Sequence, residues 1–491
     1  MSGSISFNTI PQDLRVPLFY AEFDNSRAGP SVYPQRALLI GQATTAIAAT
    51  PRFVSSAEEV ASLCGAGSMI ARMMAAYRAN DQLGEVWILP LQDAGAGVAA
   101  TGTIAVSGTA SAAGTVALYI GGRRVPVAVP SGNAATAVAT AIAAAINADT
   151  ALPVTASATG GNVTVTAKNK GALGNAIDIR LNYAGAAGGE ATPAGLTITI
   201  TGMANGATDP DLTGLDAILG DEEFDFICAP WTTSIALNAM RDLMSDSAGR
   251  WSFTRQTYGH VWASARGTAA NLITLGQGRN DQHVSIVGVY DSPSCPVQWA
   301  AAAMAASAQA LKADPARPLQ TVAIRGVLAP PVGSRFSLTQ KQSLLTAGIA
   351  LPSFAQDGQA SILRMVTTYQ KNAFNQPDQS YLDVETLFTL MAIIRRLRSA
   401  TTQKFARSKL ANDGTRFGPG QPIVTPAIFK AELVAQYAQL EAEGLVEDAD
   451  GFAAATIVQR NPTDQSRLDV LYAPNLVNGL RVLAVLAQFR S

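Results

Sequence analysis

Few side chains in this chain have the type and spacing that catalysis or metal binding requires. Only two histidines, His260 and His283, could serve as the base of a serine-hydrolase triad. Both open apolar segments, and the Gly-x-Ser-x-Gly turn of α/β-hydrolases is absent from the sequence. The three cysteines, Cys64, Cys228 and Cys295, are far apart and lack the paired spacing of zinc or iron–sulfur ligands. We therefore expect no catalytic residues, no metal site and no cofactor.

The nearest approach to a cofactor-binding motif is the glycine pair in Gly65-Ala-Gly67, which precedes an apolar helical stretch. A dinucleotide-binding fingerprint also needs a strand directly before it, a third glycine and an acidic residue about twenty positions later. Here a capped helix comes first, so we interpret the pair as a break between two helices. The acidic runs 221–225 and 447–451 lack the complete calcium-loop pattern and are expected to be solvated turns.

Length and composition limit the classes of function. The chain has 491 residues, enough for about two to four domains with a large buried core. Charged residues make up only 14% of the sequence, against roughly a quarter in ordinary soluble domains. The formal net charge of −1 argues against nucleic-acid binding. No apolar stretch approaches the ~20 residues of a membrane helix, and no signal peptide is expected. The scattered cysteines predict buried free thiols in a reducing compartment.

The two ends of the chain have the pattern of strands without a partner of their own. Residues 1–27 begin with apolar positions at Ile5, Phe7 and Ile10 and then become polar. Residues 471–491 end in a run that is apolar on both faces: Leu480, Val482, Leu483, Val485, Leu486 and Phe489. Such a segment is a template for pairing with another copy. We therefore predict that both arms add strands to neighbouring subunits and that the protein polymerises.

Between the arms, alternating strands and helices predict an α/β domain in two pieces, residues 28–92 and 209–333, which share one sheet. Residues 93–208, rich in Ala, Gly, Thr and Val, predict an inserted β-rich domain that projects outwards. Residues 334–470 predict a further, mixed domain. The predicted fold class is therefore α/β and multidomain: a discontinuous α/β sandwich core with an inserted β-rich domain, a mixed C-terminal domain and extended terminal arms.

The inserted domain contains a clear hairpin signal, in which Gly121-Gly122 joins two runs rich in apolar residues. Its scarce charge and its Thr/Val strands suit either a passive outer decoration or a receptor-binding surface. We favour decoration, because the segment lacks the exposed aromatic anchors that are typical of binding hot spots.

Several blocks of sequence, in one order along nearly the whole chain, resemble the contractile tail sheath protein of Mu-like bacteriophages. The blocks are Ile5–Pro17, Glu22–Ser26, Cys64–Ala71, Gly348–Pro352, Asp357–Gly358, Arg364–Gln370, Tyr381–Thr386, Asp413–Thr415, Gly420–Pro426 and Pro474–Val482. The order of the blocks makes the resemblance specific, although no single block would. Leu351 stands where sheaths of this type often carry Thr, and Leu363 where they carry Glu.

The resemblance implies a structural sheath subunit that polymerises around a tail tube and contracts to drive the tube through the host envelope. It implies as partners further copies of the chain in a large helical homo-oligomer of six-fold rings, the tail tube protein, and baseplate and tail terminator proteins. Residues 334–470 would face the tube, and the subunit would bind no nucleic acid and would not insert directly into a membrane. The subunit would assemble in the host cytoplasm and reside in the virion tail.

The resemblance implies no enzymatic step, because the energy of contraction would be stored when the extended lattice assembles. The alternatives that stay open are the sheath of a phage-derived bacterial injection device and, from a different class, a subtilisin-like or α/β hydrolase.

One charge pattern suggests a contact surface. Residues 381–410 carry a group of basic side chains: Arg395, Arg396, Arg398, Lys404, Arg407 and Lys409. Residues 431–451 carry acidic side chains and no basic one. These are either two solvated helix faces, or a basic surface that contacts an acidic tube or the acidic segment of a neighbouring subunit. Exposed pairs contribute only about 0–1 kcal/mol each, so many such contacts could hold one lattice arrangement and still allow a switch to another.

Overall fold

The computed structural model describes residues 35–489, and the fold begins with a fully buried strand. The elements before the insertion are β1 (Ala37–Gln42), β2 (Arg52–Val54), α1 (Ala57–Cys64), α2 (Met69–Arg78) and β3 (Val86–Leu91). The hydroxyls of Ser56 and Ser68 accept hydrogen bonds from main-chain N–H groups in the first turns of α1 and α2. Gly65 and Gly67 lie between the two helices with φ values of 92° and 76°, which confirms the predicted helix break.

The inserted segment forms two sheets and a helix. Its elements are β4 (Ala99–Gly108), β5 (Gly114–Ile120), β6 (Arg123–Val129), α3 (Ala135–Ala148), β7 (Val154–Thr159), β8 (Asn162–Lys170), β9 (Ile179–Leu181) and β10 (Leu196–Ala204). One sheet has four strands in the order β10-β4-β8-β7, and the other has three in the order β6-β5-β9. The predicted β5–β6 hairpin is confirmed: it turns at Gly121 and Gly122, whose φ values are 57° and 84°.

The inserted domain has its own sheets but shares one continuous hydrophobic core with the α/β domain. At the junction the buried side chain of Asn169 accepts a hydrogen bond from Met69 N at 2.8 Å and donates one to Ala43 O at 3.1 Å. The carboxylate of Asp93 accepts a hydrogen bond from Gln42 Nε2 at 2.6 Å. These buried and partly buried polar contacts fix the inserted domain against β1 and α2.

The α/β domain resumes after the insertion. Its further elements are α4 (Leu215–Leu219), β11 (Phe226–Cys228), α5 (Ser234–Met244), β12 (His260–Arg266), α6 (Ala269–Gln277), β13 (Val284–Val289), α7 (Pro296–Ala313), β14 (Ala323–Ile324), α8 (Leu338–Thr346), β15 (Ile349–Phe354) and β16 (Ala360–Arg364). The sheet has nine strands in the order β14-β16-β15-β13-β12-β11-β1-β3-β2. Leu38 of β1 lies opposite Trp87 of β3 and Ile227 of β11 in parallel pairs. The prediction that both pieces share one sheet is confirmed.

The central sheet extends past residue 333, where the sequence predicts the end of this domain. β15 pairs in parallel with β13, and β16 then turns back to pair antiparallel with β15 and β14. The composition does not change at this point. Whether a short apolar strand joins an existing sheet depends on how the connection through α8 returns the chain, and the sequence pattern does not contain that information.

The last part of the chain is mainly helical. Its elements are α9 (Val384–Phe405), β17 (Lys409–Leu410), β18 (Ile423–Val424), α10 (Pro426–Ala442), α11 (Ala449–Ala455), β19 (Ile457–Arg460) and β20 (Leu468–Leu471). A second, smaller core contains Tyr437, Leu440 and Phe452. Helix α9 joins both cores, because Phe388 lies in the main core and Ile393 in the smaller one.

The described part of the chain contains neither a membrane-spanning helix nor a cluster of metal ligands. Within residues 35–489, no helix combines the length and the apolar character needed to cross a membrane. The same residues contain no group of three or more His, Cys, Asp or Glu side chains placed to bind a metal ion. Cys64, Cys228 and Cys295 are free and buried, as predicted, and burial raises the pKa of the Cys64 thiol to about 11.

Candidate assembly interface

The C-terminal arm leaves the folded protein as an exposed apolar segment. Residues 472–489 have no regular secondary structure. The large apolar side chains of this segment are 69–92% exposed at Leu480, Val482, Leu483, Val485, Leu486 and Phe489. A contiguous exposed apolar surface of this kind is typical of an interaction site. The corresponding N-terminal residues Ile5, Phe7 and Ile10 lie outside the described residues.

We call residues 472–481 the arm root and residues 482–489 the free arm. In an extended conformation, successive side chains point to opposite faces. Leu483, Val485 and Phe489 would then share one face of the free arm, and Val482 and Leu486 the other. Apolar residues on both faces are typical of a strand that is buried on both sides.

The first part of the arm root is fastened to the smaller core by main-chain hydrogen bonds. Leu476 forms an isolated antiparallel bridge with Val446, and Glu447 N donates to Asn475 O at 2.9 Å. Asn475 N in turn donates to the buried hydroxyl of Tyr437 at 3.1 Å. The direction of the arm up to this point is therefore set by the fold of the subunit itself.

The last residue of the arm root, Arg481, enters a cluster of charged side chains at the start of α9. Its Nη2 atom lies 3.0 Å from Glu385 Oε1 and 3.4 Å from Asp383 Oδ1. Arg364, at the end of β16, makes two hydrogen bonds of 2.8 Å to the same Asp383 carboxylate. The cluster therefore joins the central sheet, α9 and the arm. We call these four residues the arm clamp.

Glu385 is the buried member of the arm clamp. Its side chain is only 5% exposed, and its Oε1 atom also accepts a hydrogen bond from Leu319 N at 2.7 Å. Burial raises the pKa of the Glu385 carboxyl, and the Arg481 guanidinium offsets only part of that rise. Gln320 Nε2 adds a hydrogen bond of 3.0 Å to Leu480 O. The free arm begins directly after these contacts.

Strands β19 and β20 form an incomplete sheet near the arm. They pair only with each other among the described residues. Ile457, Val470 and Leu471 are 53%, 38% and 58% exposed. An isolated two-stranded sheet is marginally stable in water, and both outer edges present main-chain groups that could pair with added strands.

The predicted basic surface divides into two sets in the structure. Three of the side chains pair with acidic residues of the same chain: Arg395 with Asp225 and with Glu223 at 3.2 Å, Arg396 with Glu443 at 2.7 Å, and Lys404 with Glu432 at 2.6 Å. Arg398, Arg407 and Lys409 are exposed and have no carboxylate within 4.0 Å among residues 35–489. Part of the acidic segment 431–451 thus pairs with part of the basic segment within the same chain.

The two histidines lie in buried positions. His260 Nε2 is 2.8 Å from the hydroxyl of Ser285, and that hydroxyl donates its hydrogen to Val366 O. His260 must therefore donate to Ser285 and does not accept its proton. Both side chains are fully buried, so this pair has no opening to a substrate. His283 bonds instead to Asp246, at 2.8 Å.

The arm clamp is the feature that residue-by-residue reasoning misses. Glu385 and Arg481 are 96 positions apart in the sequence, and neither shows an unusual local pattern. A signal was nevertheless present, because the blocks Arg364–Gln370, Tyr381–Thr386 and Pro474–Val482 together contain all four clamp residues.

Solved structures similar to this chain include three sheath proteins. The sheath tail protein from Desulfitobacterium hafniense is 14% identical with a TM-score of 0.47, covering 94% of this chain and 100% of that chain. The sheath tail protein from Listeria innocua is 13% identical with a TM-score of 0.48, covering 90% and 92%. The contracted helical sheath of the anti-feeding prophage is 11% identical with a TM-score of 0.47, covering 97% and 99%.

Sequence comparison gives a closer relationship. The phage tail sheath protein beta-sandwich domain matches residues 95–197, the central domain residues 205–368 and the C-terminal domain residues 376–490. The Mu-like prophage FluMu tail sheath protein of Haemophilus influenzae is 41% identical over 491 residues, which cover 99% of both chains. The resemblance indicated by the sequence blocks is confirmed. The chain belongs to the phage tail sheath protein family.

Proposed function

We propose that this protein is the structural subunit of a contractile phage tail sheath, a helical polymer that surrounds a tail tube and shortens to drive it through the host envelope. The observation that carries the proposal is the free arm, which is apolar on both faces and begins at the arm clamp of a sheath-family chain. An arm with this pattern is suited to burial in another subunit and leaves its own subunit incomplete.

The β19–β20 sheet is the best receiver for an added strand. It has two open edges, exposed apolar side chains and too few strands for independent stability. The free arm spans roughly 26 Å when extended, which is longer than either four-residue strand of this sheet. It could therefore pair along the whole of an open edge, and we propose that it adds a strand to the β19–β20 sheet of a neighbouring subunit. The main-chain hydrogen bonds of such a strand do not depend on how the larger domain faces pack. They would therefore hold subunits together while those faces rearrange.

The arm clamp would define the pivot for this connection. Because Arg481 is held against Glu385 and Asp383, the root stays with its own subunit, and bending is confined to the residues that follow. Helix α9 carries Glu385, begins directly after Asp383 and joins the two cores, so a force on the arm would be transmitted to the body of the subunit.

The exposed basic residues Arg398, Arg407 and Lys409 are the part of the basic surface that would contact the tube or a neighbouring subunit. Arg395 is unsuited to that role, because its side chain is only 11% exposed and pairs with the buried Asp225. We assign Arg395, Arg396 and Lys404 to contacts within the subunit. Each exposed intermolecular pair would contribute about 0–1 kcal/mol, which suits a lattice that must switch between two arrangements.

The wider assembly follows from the same proposal. The subunit would form six-fold rings around a tail tube protein, end at baseplate and terminator proteins, and carry residues 93–208 as an outer decoration. Assembly would occur in the host cytoplasm and the product would be part of the virion tail. Contraction would need no catalysis by this chain, because the extended lattice stores the energy.

Electron microscopy of the purified full-length chain beside a chain that ends at Arg481 tests the proposal. We expect hollow tubes from the full chain and none from the shortened chain. Leu486→Asp should also prevent assembly, because a charge would be buried in the receiving subunit. Leu338→Asp is the matched control, since Leu338 is as exposed as Leu486, at 85% against 84%, but lies on α8. Tubes of normal length from the shortened chain would refute the role of the free arm.

A further inference from the structure

Strand β10 of the inserted domain is an open sheet edge. It pairs with β4 from Leu196 to Thr201 on one side. Within residues 35–489, no other strand pairs with it on the opposite side. The side chains of Thr197, Thr199 and Thr201 are exposed on one face. An edge of this kind presents a row of main-chain N–H and C=O groups to any strand that approaches it.

The other edge strands in the described residues are shorter than β10, or carry a charge, a proline or a side-chain cover that β10 lacks. Edge strand β6 contains Arg123, Arg124 and Pro126, and β7 is covered by the Asn147 side chain, which donates to and accepts from the main chain of Ala156 at 2.7 and 2.9 Å. The remaining edge strands, β9 among them, have only two to four residues each. β10 has nine residues and contains no charge and no proline. Natural proteins seldom leave such an edge uncovered.

The core beneath β10 is also incomplete at this edge. Ile198 and Ile200 pack against the main core but remain only half-buried, whereas Val163 and Val165, on the inner strand β8, are fully buried. A strand added beyond β10 would cover the two isoleucines and extend the threonine face. An added strand must therefore alternate between apolar residues on the inner face and polar residues on the outer face.

We propose that β10 pairs antiparallel with β10 of a second copy of this chain, about a two-fold axis through Thr199. The sequence Thr197-Ile-Thr-Ile-Thr201 reads the same in both directions. Centred on Thr199, the antiparallel register places Thr197 opposite Thr201 and Ile198 opposite Ile200. Like residues face each other, and paired β-branched side chains stabilise neighbouring strands. The two four-stranded sheets become one sheet of eight strands.

The alternation of apolar and polar residues favours β10 of a second copy over the free arm as the added strand. The arm is apolar on both faces and would expose Val482 or Leu486 beside the threonine face, whereas β10 itself alternates as the site requires. A two-fold contact cannot repeat along a polar helix, because it reverses the direction of the chain of subunits. The contact would therefore join two unassembled subunits, or two sheaths side by side, and it does not depend on the proposed sheath function.

A cysteine at the two-fold axis tests the proposed pairing in the full-length chain. Thr199→Cys should give a disulfide-linked dimer as the main oxidised product, because facing residues in antiparallel strands have the separation of a disulfide. The native cysteines are buried and should not compete. Ser157→Cys is the matched control, since it lies on the same sheet but belongs to the covered edge strand. Equal cross-linking of both variants would overturn the proposal.

A charge exchange at the paired threonines tests the register. Thr197→Lys with Thr201→Lys would place lysines opposite each other and should abolish the disulfide formed by the Thr199→Cys variant. Thr197→Lys with Thr201→Glu would place lysine opposite glutamate and should restore it. Both positions are exposed, so neither pair of substitutions disturbs the core. Loss of the cross-link in both pairs, or in neither, would contradict this register.

Discussion

The guanidinium of Arg481 lies 3.0 Å from the buried carboxylate of Glu385 and ties the end of the arm root to the first turn of α9. The ion pair closes a loop from residue 385 to residue 481, which contains all the buried residues of the smaller core. Without this attachment, a pulling force on the free arm would first detach the arm root from its own subunit. The pair therefore marks the boundary between the residues held by their own subunit and the exposed free arm.

Arg481→Gln should destabilise the subunit by on the order of 3 kcal/mol, because it leaves the Glu385 carboxylate buried without its counter-charge. The free energy of unfolding in urea would be measured on the chain that ends at residue 481, which is expected to remain monomeric. The double variant Glu385→Gln/Arg481→Gln should lose much less stability than Arg481→Gln alone, since neither charge is then left unpaired. An equal loss in the single and double variants would show that the two side chains do not act as a pair.

Glu385→Gln should change the dependence of stability on pH. Because the pKa of Glu385 is raised in the folded protein, the folded state binds this proton more tightly than the unfolded chain does. The stability that this tighter proton binding adds is fully present below the ordinary pKa of 4.5. It is lost as the pH rises through the pKa of Glu385 in the folded protein. Glutamine has no such proton, so the stability of the variant relative to the wild type should increase with pH across that window.

Urea unfolding at a series of pH values measures this difference for wild type and variant. Glu443→Gln, at a partly exposed carboxylate that pairs with Arg396, controls for the loss of one negative charge. Parallel pH profiles for wild type and Glu385→Gln would show that Glu385 titrates alike in the folded and unfolded chains.

Arg398→Glu combined with Arg407→Glu should weaken binding of the sheath to its tube or the contact between subunits, with little effect on the stability of the monomer. Both side chains are exposed and have no carboxylate partner within the described residues. Sedimentation of assembled sheath would report the loss. Arg396→Gln is the matched control, on the same helix as Arg398: it breaks the pair with Glu443, should cost at most about 1 kcal/mol of monomer stability, and should leave assembly unchanged. Normal assembly of the double variant would remove these residues from the interface.

Asn169→Ala should destabilise the protein by about 1–3 kcal/mol, because it leaves the buried N–H of Met69 and the carbonyl of Ala43 without partners. Asn162→Ala, on the same strand but at an exposed position, should have little effect. Urea unfolding of both variants measures the difference. If the two variants were equally stable, the amide contacts would not be what fixes the inserted domain to the α/β domain.

The sequence by itself determined the features that depend on neighbouring residues. The continuous apolar run of β1, the hydroxyl cap at Ser56 and the hairpin at Gly121-Gly122 follow from steric and hydrogen-bonding preferences that act over a few positions. The two-sided apolar pattern of the free arm is of the same kind. The full-length resemblance to sheath proteins was also readable, because it rests on the order of blocks.

Only the tertiary structure decided which distant groups meet. Arg395 could equally have faced a tube, but the fold places it against the buried Asp225 of the same chain. The pairing of Arg481 with Glu385, and the addition of β15 and β16 to the central sheet, likewise depend on the path of the chain through space. Side-chain charge and strand propensity are local properties, whereas the partner that satisfies them is chosen by the packing of the whole chain. That is why the apolar pattern of the C-terminal arm is visible in the sequence, whereas its attachment through Arg481 is decided by the fold.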